Sequence, residues 1–203
     1  MAKRESTFIN MVVTLLLVTA VAATALGFIY DFTKEPIALA KLKAQQEAIS
    51  KVLPAYDTLG VSYKVPNDSD ADSLEFFPAY QGNELVGIAV KTYTKKGFSG
   101  LITIMAGIDK EGNFSGYEVL EHAETPGLGS KMGVWFNNPE KPNQYVIGKN
   151  PKTTKFQVTK DGGDVDAITA STISSRAFLD ALNRAYISYE KHISSELEVQ
   201  SSE

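Results

Sequence analysis

Residues 101–120 read LITIMAGIDKEGNFSGYEVL, and how this stretch divides decides the fold. Leu101–Ile108 and Phe114–Leu120 are runs of strand length rich in Ile, Phe, Tyr and Val, and Asp109–Asn113 between them is polar and contains a glycine. Two such runs joined by a short glycine-bearing turn predict a β-hairpin. Upstream, Phe76–Tyr80, a turn at Gly82-Asn83 and Leu85–Tyr93 (LVGIAVKTY) repeat the pattern. Consecutive strands joined by tight turns form an antiparallel meander. A further short strand is expected at Lys155–Thr159, before the turn Asp161-Gly162-Gly163. Tyr63–Ser73 is an Asp-dense segment without the glycine and terminal glutamate of a calcium loop, so a solvated loop is expected there.

Helical spacing brackets the sheet. Ile173, Ala177, Ala181, Leu182, Ala185, Tyr186 and Tyr189 recur at three- and four-residue steps, which predicts a helix over Ile173–Tyr189 with one face toward a core. The final SSELEVQSSE is expected to be a frayed polar tail. Together these elements make an α+β domain with flanking helices.

Phe8–Tyr30 carries no charged residue over 23 positions. As a helix it would reach about 35 Å, enough to cross a bilayer. A cleaved signal sequence competes with this, because Lys3 and Arg4 precede the run and Ala23-Thr24-Ala25 resembles a cleavage site. A signal core is about 7–15 residues long, whereas Leu26, Phe28 and Ile29 extend this one past the cut. A retained anchor is therefore expected. Lys34–Leu53, closed by Pro54, reads as a helix carrying the domain away from the bilayer. The expected organisation is a cytoplasmic tail at 1–7, a transmembrane helix at 8–30, a connecting helix at 31–54 and one domain at 55–203. Lys34, Lys41 and Lys43 balance Lys3 and Arg4, so charge does not set the orientation. A short basic tail stays inside while a long following domain translocates largely regardless of charge. The domain is expected on the outer side of the cytoplasmic membrane.

Composition narrows the chemistry. A net charge of −4 disfavours nucleic acid as a partner. With no cysteine and only two histidines, thiol nucleophiles, iron–sulfur clusters and multi-histidine metal sites are excluded, and no metal is expected. Redox chemistry in this chain requires an organic cofactor.

Two segments carry polar groups in excess of structural need. In DVDAITASTISS (164–175), Thr169, Ser171, Thr172, Ser174 and Ser175 crowd a helix start that needs one capping hydroxyl. Such a start also accommodates phosphate. In EHAETPGLGSKMG (121–133), Gly127 and Gly129 permit close backbone approach or positive φ beside Glu121, His122 and Glu124. An ordinary glycine-rich connection explains that segment equally well. No nicotinamide fingerprint and no G-x-S-x-G serine motif occurs.

GFSGLITIMAGIDKEGNFSGYEVLEHAETPGLGSKM followed by DAITASTISSRAFLDALNRA resembles, over almost the whole soluble portion, the FMN-binding domain of the Rnf complex G subunit. The C subunit of the sodium-pumping NADH:quinone reductase shares that domain, and the shorter chain favours the Rnf protein. The resemblance implies FMN linked through its phosphate to a threonine in a Ser/Thr-Gly-Ala-Thr string. Position by position, Thr169 matches the leading hydroxyl, Ala170 stands where Gly is usual, Ser171 where Ala is usual, and Thr172 matches the acceptor. Thr172 is thus the implied attachment residue, and Ser171 is a competing hydroxyl. Alanine at positive φ costs about 1 kcal/mol or more, so a different turn is open at Ala170. Thr169, Ser171 and Ser174 would surround the phosphate, with Ser175 as a further donor. Glu124, Thr125, Gly127, Leu128 and Gly129 would approach the isoalloxazine ring.

The resemblance further implies a flavin transferase that uses FAD as donor, other membrane subunits as partners, and electron flow between ferredoxin and NAD coupled to ion movement. No catalytic residue beyond the flavin is implied. Two other classes stay open: a free-standing flavin reductase using His122 and Glu124, and an anchored structural protein whose hydroxyls serve as caps.

Overall fold

The computed structural model describes residues 7–66 and 72–201. Helix α1 (Phe8–Val52) runs for 45 residues with Pro36 inside it. It is long and apolar enough to cross a membrane, and the expected span Phe8–Tyr30 lies within it. The hydroxyls of Thr14, Thr19, Thr24 and Thr33 donate to carbonyls one turn back, at 2.7–2.9 Å, and so satisfy themselves inside the helix.

The chain divides into two compact units between Ala44 and Gln45. In the last turns of α1, Ala48, Ile49 and Val52 are buried in the second unit's core.

The second unit is built on an antiparallel sheet of six strands: β1 (Thr58–Leu59), β2 (Tyr63–Pro66), β3 (Ser73–Gln81), β4 (Glu84–Gly97), β5 (Gly100–Asp109) and β6 (Phe114–His122). Their order is β1-β3-β4-β5-β6, and β2 also pairs with β3. The hairpins expected from the sequence are β3–β4, β4–β5 and β5–β6. Tyr63–Pro66, expected as loop, is a strand instead, because Tyr63 and Val65 find partners in Phe76 and Leu74 along the edge of β3. The rest of that Asp-rich stretch, residues 67–71, lies outside the described residues.

Both faces of the sheet are covered, which is why Ile88–Val90 and Ile102–Ile108 read as nearly continuous apolar runs. On one face Phe76, Ile88, Val90, Ile104 and Ile108 pack with Ala177, Phe178, Ala181 and Leu182. These last four belong to α3 (Thr172–Ser201), which follows a short α2 (Met132–Trp135). On the other face Phe77, Ala79, Ala89 and Met105 meet Ala48, Ile49 and Val52. Ser115 fixes that contact by donating to the Val52 carbonyl at 2.6 Å.

Two expectations along this path are corrected. Lys155–Thr159 is not a strand: Val158 makes an isolated bridge to Val165, and Thr159–Asp161 turns at once into a 3-10 helix. Phe156 and Val158 alternate into the core as strand residues do, but they do so from a loop. The C-terminal segment, expected as a frayed tail, continues α3 to Ser201, since nothing after Tyr189 breaks the helix.

Candidate functional site

Three segments meet at the N-terminal end of α3. One is the turn Gly97–Gly100 between β4 and β5, released from regular pairing by the register shift between Thr94 and Gly97. Another is the loop after β6, which begins at Ala123. The last is the turn that enters α3.

The glycine-rich loop is fixed by its own backbone and by the sheet. Leu128 N–H and Ser130 N–H both donate to the Thr125 carbonyl, and Gly127 N–H donates to Ser130 Oγ at 2.9 Å. Gly127 has φ 76°, where a side chain would be strained. Downstream, Tyr117 Oη donates to the Met132 carbonyl at 2.7 Å and holds the following turn on β6. Burial pushes the Tyr117 phenol well above its ordinary pKa, so it stays a donor.

The entry to α3 is held by serines. Ser171 N–H donates to the Ile168 carbonyl, and Ser175 N–H closes the first helical turn on the Ser171 carbonyl at 3.0 Å. Ser175 Oγ accepts from Ile168 N–H and donates to the Ser171 carbonyl, both at 2.9 Å. Ser174 Oγ donates to Glu124 Oε2, and Ser171 and Ser174 hydroxyls lie 3.0 Å apart. With the Ser174 hydroxyl donating to Glu124, the Ser171 hydroxyl donates to Ser174 Oγ. All three serine protons therefore have protein acceptors. Thr172 differs: half-buried at the first position of α3, its hydroxyl makes no hydrogen bond among the described residues.

Ala170 is in the left-handed region at φ 59°, the one non-glycine residue there among the described residues. The turn that glycine would favour is thus kept with alanine in it. Such strain persists where surrounding contacts over-determine the backbone, and it concentrates at functional sites.

These segments enclose a cavity of about 360 Å³. Glu124, Ser171 and Ser174 form its polar wall, Thr125, Ala170 and Thr172 its edge, and Phe98, Leu128 and Ile173 its apolar side. Phe98 and Ile173 are 66% and 48% exposed, so the apolar side stands open to a ligand. A second, more polar cavity of about 390 Å³ adjoins it, and Ala170 and Thr172 border both. Thr169 lies in the second cavity with Lys160, Gln144 and Asp166. Of the residues singled out in the sequence, Glu124, Thr125, Leu128, Ser171, Thr172 and Ser174 come together around the first cavity. Gly127 and Gly129 shape its loop without lining it, and Thr169 faces the neighbouring space.

Sequence reasoning passed over Phe98 and misdirected Ile173, which was expected on the core face. Ile173 sits in the first turn of α3, ahead of the buried stripe that starts at Ala177. The signal for Phe98 was an aromatic between Gly97 and Gly100 in a hairpin turn, where a buried partner is not available. His122 is exposed, and its Nδ1 accepts the Glu124 backbone N–H at 3.2 Å; it does not line the cavity. This geometry gives no support to a His122–Glu124 acid–base pair.

A family model described as FMN-binding domain matches residues 97–187, a span that begins at the Gly97 turn and ends within α3. The chain is 33% identical to the G subunit of the ion-translocating oxidoreductase complex of Methanosarcina acetivorans, over 90% of this chain and 95% of that protein. The chain belongs to this G-type subunit family. The G subunit of the ion-translocating oxidoreductase complex of Yersinia pestis is 33% identical, over 85% of this chain and 86% of its own. The G subunit of the Na(+)-translocating ferredoxin:NAD(+) oxidoreductase complex of Acetobacterium woodii is 30% identical, over 87% and 88%. Membership in the G-type family and one apolar N-terminal helix make this a membrane-anchored FMN-binding protein.

Proposed function

We propose that this chain carries electrons through FMN held by a phosphoester to Thr172, as one subunit of a membrane complex that couples electron transfer between ferredoxin and NAD to ion movement. The observation that carries the reading is the Thr172 hydroxyl. Of the hydroxyls of Thr169, Ser171, Thr172, Ser174 and Ser175, only those of Thr169 and Thr172 make no hydrogen bond among the described residues, and of these two Thr172 is the one that lines the first cavity.

The surroundings fit the cofactor. A cavity of about 360 Å³ is of the size that takes a planar ring system, with apolar walls and a few fixed polar groups. Leu128 and Phe98 supply apolar contact, and the Glu124 side supplies polarity. A phosphate on Thr172 would meet the backbone N–H groups of the first turn of α3, which lack helical acceptors. Lys160, in the adjoining cavity that Thr172 also borders, adds a cation on that side. Bound FMN supplies one- and two-electron transfer; the protein supplies placement and electrostatics.

Attachment would be made by a separate flavin transferase with FAD as donor: the Thr172 oxygen bonds to the FMN phosphorus, the pyrophosphate bond breaks, and AMP departs. A tethered cofactor is not lost by dilution, which suits a domain on the outer side of the membrane. The deciding experiment is coexpression of the full chain with such a transferase, then denaturation and mass spectrometry. An FMN-sized addition on the Thr172 peptide, absent from Thr172→Ala, is the expected result; an addition on Ser171 or Ser174 would overturn the assignment.

A further inference from the structure

Glu124 is only 4% exposed, yet it lies in the wall of the cavity. Its carboxylate has two donors and no cationic partner: Ser99 N–H reaches Oε1 at 3.0 Å, and the Ser174 hydroxyl reaches Oε2. No Lys, Arg or His among the described residues forms an ion pair with it. A buried carboxylate held by neutral donors alone is a costly arrangement that packing does not require.

The backbone around it is cut to fit. A Cβ on Gly97 would lie 2.7 Å from Oε1, and a Cβ on Gly129 would lie 2.6 Å from Oε2. Either contact is too close for real atoms, and the Gly100 carbonyl lies closer still to the first and Ser174 Oγ to the second, so the two glycines let the β4–β5 turn, Ser174 and the carboxylate pack together. The seat draws on all three segments of the site: the β4–β5 turn through Gly97 and Ser99, the loop after β6 through Gly129, and α3 through Ser174.

We propose that the Glu124 carboxylate sets the reduction potential of the flavin and holds it low, an inference that rests on the reading of FMN at Thr172. A fixed negative charge beside a ring that gains electrons opposes the gain, and in a partly water-excluded wall that opposition is not screened as it is in solution. Glu124 exchanges no electron and no proton in this role; it acts through its charge. The two hydrogen bonds orient the carboxylate, since both groups donate to it.

The test uses the full-length chain, flavin-loaded by a coexpressed transferase and purified in detergent. Midpoint potentials are read by spectroelectrochemical titration of Glu124 and Glu124→Gln proteins. Removal of one unit charge close to the ring changes the reduction equilibrium by about a hundredfold. For a two-electron couple this is a rise of about 60 mV.

The pair Glu124→Asp and Glu124→Asn repeats the comparison with shorter side chains of equal shape, so the test survives if glutamine does not fold in the seat. The asparagine protein must stand above the aspartate protein by the same order. A purely structural role would lower the melting temperature of these variants and leave the potential in place. A flavin-loaded Glu124→Gln protein whose equilibrium stays within threefold of the parent overturns the inference while the function stands. A parent chain that carries no flavin on Thr172 in the same preparation overturns the function and the inference together.

Discussion

The Ser174 hydroxyl donates to Glu124 Oε2 across fifty residues of sequence and ties the first turn of α3 to the loop after β6. Ser174→Ala removes that donor, and with it the acceptor of the Ser171 hydroxyl, and leaves Ser99 N–H as the carboxylate's remaining partner. A hydrogen bond to a charged group contributes about 1.5–3 kcal/mol, so urea unfolding of the full chain in detergent should show a loss of about 2 kcal/mol. Ser130→Ala is the control, because Ser130 accepts only an exposed N–H from Gly127. Equal losses in the two variants would mean the Glu124 contact is not a stabilising tie.

Ala170 at φ 59° sets a second expectation. Strain of about 1–2 kcal/mol is relieved by glycine there, against about 0.4–1 kcal/mol of added unfolded-chain entropy. Relief wins, so Ala170→Gly should raise the melting temperature by about 1–3 °C, while Ala170→Val should lower it. Scanning fluorimetry reads both. A glycine variant that melts below the parent would show that neighbouring contacts of the Ala170 methyl outweigh its strain.

These two sites also mark how far the sequence was legible. The strands from Phe76 to Leu120 were readable because each is long and bounded by turn residues, and the α3 stripe because Ala177, Ala181, Leu182 and Ala185 keep helical spacing. Thr58–Leu59 and Tyr63–Pro66 were not, since so short a segment becomes a strand only when a neighbour's edge is present. Val158 and Val165 show the converse, a strand-like pattern without an edge to join. The residues of the candidate site were named from motifs, but their division of labour was not. Nothing in ETPGLG says that Glu124 is buried, and nothing in TASTIS says that the serine protons are spent internally while that of Thr172 is not.

Asp180 on α3 gives an acid-side prediction. Partial burial alone would raise its pKa; hydrogen bonds from Lys96 Nζ (2.7 Å) and Thr94 Oγ (2.8 Å), with the Arg184 and Lys96 charges, together outweigh that and hold it below the ordinary value. A carboxylate depressed in the folded state adds stability that is complete above its ordinary pKa of about 3.9 and is lost as pH falls through the lower folded value. Asp180→Asn should therefore be less stable than the parent at neutral pH, and the difference should narrow below about pH 4. A difference that stays constant down the acid limb would assign the loss to packing.

The side of the membrane is open to a direct measurement. With the domain outside and Phe8–Tyr30 retained, protease added to intact spheroplasts should digest the domain, and carbonate should not extract the chain. Terminal sequencing should find residues before Leu26 still attached. A mature chain starting at Leu26 would convert the span into a cleaved signal.

The role in the complex is tested by separating assembly from electron flow. Thr172→Ala deletes a side chain that makes no hydrogen bond among the described residues, and Ser171 and Ser175 still organise the start of α3 without it. The stability cost should stay below about 1 kcal/mol, too little to unfold a typical domain. The complex should therefore assemble, as followed by native gel of solubilised membranes, while losing the flavin of this subunit. If electrons pass through that flavin, ferredoxin-dependent NAD reduction by the same membranes should fall to background. Normal NAD reduction by an assembled Thr172→Ala complex would take this flavin out of the electron path, and the subunit would then serve the complex as an anchored scaffold.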